Sequence, residues 1–378
     1  MNDLERKILT AIKQQPMATQ QELAAALQLS RESVAGYISR LTQKGAILGK
    51  GYILPNANNI VVLGGANVDL TGTSTANFRM GDSNPGVVNQ SAGGVGRNIA
   101  ENLARLGNDV SMLSLVGHDH RGRFLIEHAR EVGISTDDII QHPDFATSSY
   151  LAMNNEQGEL VGAIADMAII DQLTPALLAD KLPRLQAATT LVVEANLLPE
   201  TLSWLAQQKL SAPIIADAVS AAKAPRLIPL LAKIDVLKVN RFEALAILKK
   251  PETDSSSVEQ LIDELLAQGV GSVLLSLAEQ GVMYGDAEHK YLQSVPACQI
   301  ASDTGAGDAL IAGYVHSLKL TEQIKPRLGF AIACAVATLE SKDAVSTLLT
   351  ETYVCQRFAD FLTTTEFPLT ELESHSNE

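Results

Sequence analysis

Asp303-Thr-Gly-Ala-Gly-Asp308-Ala-Leu310 decides how the rest of the chain is read. Two glycines flank an alanine directly before a carboxylate, and the small, apolar run Ala309 to Val315 predicts a helix. Consecutive backbone N–H groups at a helix N-terminus make an anion nest. The carboxylate that ends this nest stands beside whatever anion binds there. A phosphate nest with a base next to it is what an alcohol needs to attack a γ-phosphoryl group. The stretch therefore points to a small-molecule kinase.

The bulk sequence agrees with an enzyme. Its 378 residues suffice for one large domain plus something small, and 46% hydrophobic content can build a sizeable core. No stretch approaches a membrane span; even Ala331–Leu339 is short and alanine-rich, so no membrane partner is expected. The start, MNDLERK, has no apolar signal core, and a cytoplasmic location follows as the expectation. Cys298, Cys334 and Cys355 are scattered without ligand spacing, which fits a reducing compartment and excludes a zinc module.

Charge divides the chain. Residues 1–54 hold seven Lys/Arg against four Asp/Glu, a balance of +3, and the remainder carries −17. In the head, Leu4, Ile8, Leu9 and Ile12 form a helical stripe ended by Pro16. Thr19 and Glu22 have capping-box spacing ahead of a second helix through Leu27. Ser30 caps a third helix, Arg31 to Lys44, whose outer face shows Arg31, Glu32, Ser33, Ser39, Arg40 and Gln43. Gly45 to Leu54 reads as a two-stranded wing. This order looks like a winged helix-turn-helix, domain 1–54, whose polar face could meet a DNA major groove. A three-helix packing or dimerisation module is the other reading, because +3 supplies few phosphate contacts.

Beyond the linker-like Pro55–Asn59 the pattern becomes α/β. Buried runs at Ile60–Leu63, Val110–Val116, Leu191–Glu194, Pro213–Ala216, Val236–Val239 and Ser272–Leu277 alternate with helices. That alternation predicts a mainly parallel sheet with helices on both faces. Ligands of such sheets bind beyond the carboxyl ends of the strands, where Asp69, Glu194, Asp217, Asn240 and Ser276 fall. Ser148–Met153 and Glu159–Ile164 read as a hairpin around Asn154–Gly158. Gly93-Gly-Val-Gly-Arg-Asn98-Ile-Ala100 opens a helix that stops at Gly107.

Three ordered motifs now carry a resemblance: Gly93–Leu106, Asn240-Arg-Phe-Glu243 and Asp303–Leu310. On them, residues 59–365 resemble a PfkB-type (ribokinase-like) carbohydrate and nucleoside kinase. A dinucleotide-binding fold fares badly, since the final glycine of G-x-G-x-x-G is missing, and no Walker motif occurs.

The resemblance implies roles for residues. Asp308 is the expected general base, with the amides of Gly305, Ala306 and Gly307 neutralising the transferred phosphoryl group. Asn240 and Glu243 are expected at Mg²⁺ on the nucleotide phosphates, or as a helix cap with its capping-box partner. ATP is expected near Ser276–Gly281, although Ala278 replaces the glycine usual there. Ser302 stands where such kinases often place a K⁺-binding aspartate, so the pattern gives a potassium site no support. Asp69 and Asn98 are expected on sugar hydroxyls, with Gly93 and Gly94 allowing close approach. Val95 stands where ribokinases often carry lysine.

Within the family, Asn84-Pro-Gly86, Ile164–Met167, Glu194–Leu197 and Asp217–Lys223 are similar to pseudouridine kinases. The implied reaction is ATP- and Mg²⁺-dependent phosphorylation of the 5′-hydroxyl of pseudouridine, with Asp166, Glu194 and Asn196 on the substrate side. Another nucleoside, a free sugar, or a nucleoside-sensing transcription regulator are the alternatives. A β lid from Arg79–Ala92 and the hairpin would close over the acceptor. Lids of this kind can pair subunits in relatives, so a homodimer is expected.

Overall fold

The computed structural model describes residues 2–14, 18–48 and 59–368. In the head, α1 (Asp3–Gln14), α2 (Gln20–Leu27) and α3 (Arg31–Gln43) enclose a small core that includes Ile8, Ile12, Leu23, Val34 and Leu41. The Thr19–Glu22 capping box forms in both directions, and Ser30 caps α3. Arg31, Glu32, Ser33, Ser39, Arg40 and Gln43 are exposed on one face of α3. Of the expected wing, residues 45–48 are turn and bend rather than strand, and residues 49–54 lie outside the described residues, as do Pro16 and, of the expected linker, residues 55–58.

The body is a large sheet and a small one. Its strands are β1 (Asn59–Leu63), β2 (Asn67–Ser74), β3 (Gly86–Gly93), β4 (Asp109–Gly117), β5 (Ile139–His142), β6 (Ser149–Asn154) and β7 (Leu160–Asp166). They continue as β8 (Thr190–Glu194), β9 (Ile214–Asp217), β10 (Val236–Asn240), β11 (Ser272–Ser276), β12 (Val282–Gly285) and β13 (Lys290–Gln293). The helices between them are α4 (Val95–Arg105), α5 (His120–Glu131), α6 (Pro175–Ala179), α7 (Leu182–Gln186), α8 (Pro199–Ala206), α9 (Arg241–Ile247) and α10 (Val258–Ala267). The chain closes with α11 (Ala306–Ser317), α12 (Ile324–Leu339), α13 (Glu351–Arg357) and α14 (Ala359–Thr364).

The large sheet runs β13-β12-β11-β10-β9-β8-β1-β4-β5. From β5 to β11 every pairing is parallel, and β12 and β13 add an antiparallel edge. Alternate residues of each strand enter opposite cores, as the period of two demands. Ile60, Val62, Met112 and Val192 pack with α4, α5, α11 and α12. Val61, Leu63, Leu113 and Val193 pack with α8, α9 and α10. Continuous apolar strands buried on both faces are thus what the sequence predicts and what forms. The start of α5 at His120 is fixed by Asp119, whose carboxylate accepts the Gly122 amide at 2.8 Å.

The small sheet, β3-β2-β6-β7, stands over the carboxyl end of the large one. Register places Asp69 beside Ser91 and Tyr150 on one face, and Leu70, Leu151 and Ile164 on the other. No helix among the described residues is long and apolar enough to cross a membrane.

Candidate active site

A cavity of about 390 Å³ opens where the carboxyl ends of β1, β8, β9 and β10 meet the lid and the start of α11. Its size falls in the usual range of small-molecule sites. Asp69, Asn98, Tyr150, Asp217, Lys238 and Asp308 bring side chains of both charges to its wall.

The nest is built by backbone shape. Gly305 caps α11 at φ 83°, and a Cβ there would lie 1.9 Å from the carbonyl oxygen of Ala344, so only glycine fits. Among the described residues the amides of Gly305, Ala306 and Gly307 have no internal hydrogen-bond partner. They are therefore free to meet an anion at the positive end of the helix. Asp308 follows in the first turn and is buried. Burial, then the Asp217 charge, pushes its carboxyl up to about 7 against the opposing Asn98 hydrogen bond and the Lys238 and Arg97 charges. A carboxyl poised there can take a proton near neutral pH and still hold it.

Lys238 was not anticipated. Its ammonium lies 3.2 Å from Asp217 Oδ2, and a Cβ on Gly307 would come within 2.7 Å of it. Burial alone would lower its pKa, but the carboxylates of Asp217, Glu243 and Asp308 outweigh that and hold it above the ordinary lysine value. A signal existed: a lysine inside the apolar strand Val-Leu-Lys-Val-Asn240 needs a buried partner.

On the wall formed by β2, the Asn67 amide donates to Asp69 Oδ1 at 2.5 Å. Burial raises the Asp69 carboxyl, partly offset by that bond and by Arg97. Gly93 leaves room for this carboxylate, since a Cβ there would sit 2.0 Å from Asp69 Oδ2. Gly94 caps α4 and lines the cavity with Asn98. The Asn98 amide donates to Asp308 Oδ2 at 2.8 Å. The residue expected on a sugar hydroxyl is thus first a partner of the expected base.

Two expected substrate contacts fall elsewhere. Glu194 is buried beneath the cavity, where Oε1 accepts from Gly65 N at 2.7 Å and Oε2 from Asn196 N at 2.6 Å. Burial pushes its carboxyl up to about 7, with Asp217 adding to the effect and the two amides opposing it. It ties two cavity loops together and does not line the cavity. Asp166 ends β7 opposite Ser149, so strand alternation turns it to the lid face away from Asp69 and Tyr150. It is exposed and also off the cavity wall.

Asn196 does line the cavity, and its Oδ1 accepts from the Lys223 ammonium. Its amide nitrogen faces Gly65, where a Cβ would approach it to 3.8 Å. Val219, a third wall residue, sits at φ 64°, a conformation that β-branched side chains rarely adopt. Its amide is held by Asp217 Oδ1 at 2.6 Å, which helps fix that shape.

Asn240 and Glu243 form a complete capping box at the start of α9, with Glu243 N donating to Asn240 Oδ1 at 2.9 Å. Asn240 N and Nδ2 occupy the two Glu243 oxygens at 2.8 and 2.9 Å. Burial raises the Glu243 carboxyl, with Lys238 opposing. The cap reading is realised; as a metal set the pair offers hard oxygens that already accept one bond each. Ser276 ends β11 with its hydroxyl on the Val239 carbonyl at 3.3 Å. Ala278 then takes φ 50°, the left-handed shape that glycine would adopt without strain, and Gly281 follows at φ 112°. Ser276, at the end of β11, and Gly281, directly before β12, flank a loop that lies outside this cavity.

Comparison with known proteins bears on both parts of the chain. Residues 57–351 match the pfkB family carbohydrate kinase model, and residues 1–47 match a winged helix-turn-helix DNA-binding model. The uncharacterized sugar kinase YeiI of Escherichia coli is 35% identical over 342 residues, 90% of this chain and 94% of that protein. The pseudouridine kinase of the same organism is 34% identical over 285 residues, 74% of this chain and 90% of that protein. A carbohydrate kinase structure from Agrobacterium tumefaciens superposes with a TM-score of 0.72 at 31% identity, covering 81% of this chain and 97% of that one. The ribokinase-like fold and the winged-helix head expected from the sequence are both supported.

Proposed function

The chain belongs to the pfkB family of carbohydrate kinases, and on that premise we propose that it transfers the γ-phosphoryl group of ATP to the 5′-hydroxyl of pseudouridine. It is a phosphotransferase with a hydroxyl acceptor. One observation carries the reading of the site: Asp308, free at Oδ1 among the described residues, faces the same cavity as Asp69 and adjoins three unpartnered amides.

In this reading Asp69 accepts from the ribose hydroxyls and aims the 5′-hydroxyl at Asp308. Asp308 removes the hydroxyl proton as that oxygen bonds to the γ-phosphorus. The bond from phosphorus to the bridging oxygen breaks, and ADP leaves. The amides of Gly305, Ala306 and Gly307, with the Lys238 ammonium, neutralise charge on the transferred group. Mg²⁺, when bound, neutralises the nucleotide phosphates; Asn240 and Glu243 would hold it through its water shell, which Mg²⁺ sheds reluctantly. ATP would lie along the Ser276–Gly281 loop.

Base recognition rests on donors. Lys223 occupies Asn196 Oδ1, so that amide presents its N–H groups, and Lys223 has further N–H groups of its own. Two donors on one wall suit a base rich in carbonyl acceptors, as the uracil ring of pseudouridine is.

A free sugar is the second acceptor reading. The relative at 35% identity carries a sugar-kinase name, and Asp69 would take a sugar diol equally well. The experiment is a panel of pseudouridine, uridine, other nucleosides and free sugars with ATP and Mg²⁺. Pseudouridine should give the highest kcat/KM; turnover of ribose or uridine without turnover of pseudouridine would remove the specific claim.

The same proposal extends to partners. The exposed polar face of α3 supports DNA binding by the head. The outer lid face, with Val88 71% and Ile164 63% exposed, supports pairing with a second copy. Lack of a membrane-spanning helix among the described residues is compatible with a cytoplasmic enzyme.

A further inference from the structure

Arg97 is almost completely buried behind the cavity, on the first turn of α4, and does not line it. Its guanidinium donates from Nε to the Gly93 carbonyl at 3.1 Å, from Nη1 to Glu101 and from Nη2 to Asn98 Oδ1. Glu101 in turn meets Arg105 at 2.7 Å, with His128 Nδ1 at 3.9 Å. A chain of charge-assisted contacts thus runs from Arg105 through Glu101, Arg97 and Asn98 to Asp308.

The two ends of a carboxamide have nearly the same shape, so its orientation is set by its neighbours. Arginine has donors and no acceptor. Beside Arg97, Asn98 must therefore present Oδ1 inward, which leaves Nδ2 for Asp308 Oδ2. A flipped amide would set oxygen against oxygen and favour a protonated Asp308. From this geometry we propose that Arg97 is a positioning residue: it fixes the Asn98 amide so that Asp308 is held as an acceptor with Oδ1 open to the substrate hydroxyl. The other charges facing Asp308 are Asp217 from β9 and Lys238 from β10, and neither contacts the Asn98 amide in a way that sets its orientation.

The inference rests on the kinase reading, but its test has a readout that needs no turnover. Protein labelled with ¹⁵N-asparagine, assigned with Asn98→Ala, reports the Asn98 side-chain amide directly across a pH titration. The acid limb of kcat is measured in parallel with whichever acceptor the wild type uses. Arg97→Met should shift the Asn98 resonance and its titration, and move the acid limb up by about one pH unit, the size of a lost hydrogen bond to a carboxylate. KM for ATP should stay near wild type. Glu101→Gln keeps the Arg97–Asn98 contact and should leave both readouts in place. Unmoved readouts in folded Arg97→Met, or equal shifts in Glu101→Gln, overturn the proposal. Should Arg97→Met fail to fold, Arg97→Lys decides instead: it keeps the charge without the fork, and a resonance and limb at wild-type positions overturn the proposal. A wild type without kinase activity would count against the functional reading alone, because the resonance titration remains.

Discussion

Asn98 Nδ2 donates to Asp308 Oδ2 at 2.8 Å, joining the first turn of α4 to the first turn of α11. The two glycine motifs, 210 positions apart in sequence, thereby become one site. The contact ties α4, which opens directly after Gly93 and Gly94, to the helix that carries the nest.

Turnover should depend on pH through Asp308. Its carboxyl, pushed up to about 7, must be ionised to accept the proton, so kcat should fall below an apparent pKa near 7. Stability has the opposite sign. A carboxyl raised in the folded state binds its proton more tightly there, so its contribution is full below about pH 4 and is lost as pH rises through 7. Asp308→Asn should therefore be more stable than wild type at pH 8, by on the order of 1–3 kcal/mol, and unfold at a higher temperature, with the gap closing toward pH 4. Calorimetry across that range checks it; a gap that widens on acidification contradicts it.

Asn196→Ala and Lys223→Met should separate base recognition from chemistry. Each removes a donor from the wall, and kcat/KM for pseudouridine should fall about 10- to 100-fold, the usual range for a lost hydrogen bond to a buried polar group. Any residual turnover of a free sugar should change far less. Steady-state kinetics on both acceptors tests this, and equal losses on both would deny the two residues a role in reading the base.

Ala278→Gly should be tolerated or stabilising. The left-handed conformation costs an alanine about 1 kcal/mol, which glycine avoids at the expense of a more flexible unfolded chain. The Ser276–Gly281 loop, proposed to hold ATP, should keep its shape, leaving KM for ATP within about twofold. A clear destabilisation in a denaturant melt would show that the methyl group makes a contact worth more than the strain.

The outer lid face should govern assembly. Replacing Val88 and Ile164 by lysine puts charge on the exposed apolar row without touching the face that carries Asp69. Sedimentation velocity should show a dimer for wild type and a monomer for the double variant. A monomeric wild type would leave that face without the second copy assigned to it.

Much of this architecture was legible from periodicity and punctuation. Strands buried on both faces have no alternation to hide, and their lengths and flanking glycines located most of them within a residue or two. The nest was legible because Gly305 is needed for steric reasons that composition exposes. Glu194 and Asp166 were harder. A strand-end position tells which loop a residue opens, but not whether its carboxylate turns to the ligand, to a neighbouring backbone as Glu194 does, or to the far side as Asp166 does. Lys238 was missed because a lone cation in an apolar strand tells that a buried partner is needed but not which one, and Arg97 because its sequence-local partners Gly93, Asn98 and Glu101 do not reveal that Asn98 goes on to bond Asp308. Asn240 and Glu243 show the reverse ambiguity: one spacing satisfies a helix cap and a metal site alike.

Kinetics of Asp308→Asn test the central claim most directly. The variant keeps the size of the side chain and removes its ability to take a proton, and a general base contributes about 10²- to 10⁴-fold. With an acceptor the wild type uses, kcat should fall by that factor while the fold and KM for ATP are retained. Undiminished turnover in the folded variant would show that the acid beside the nest is not the base, and the account of this site would fail.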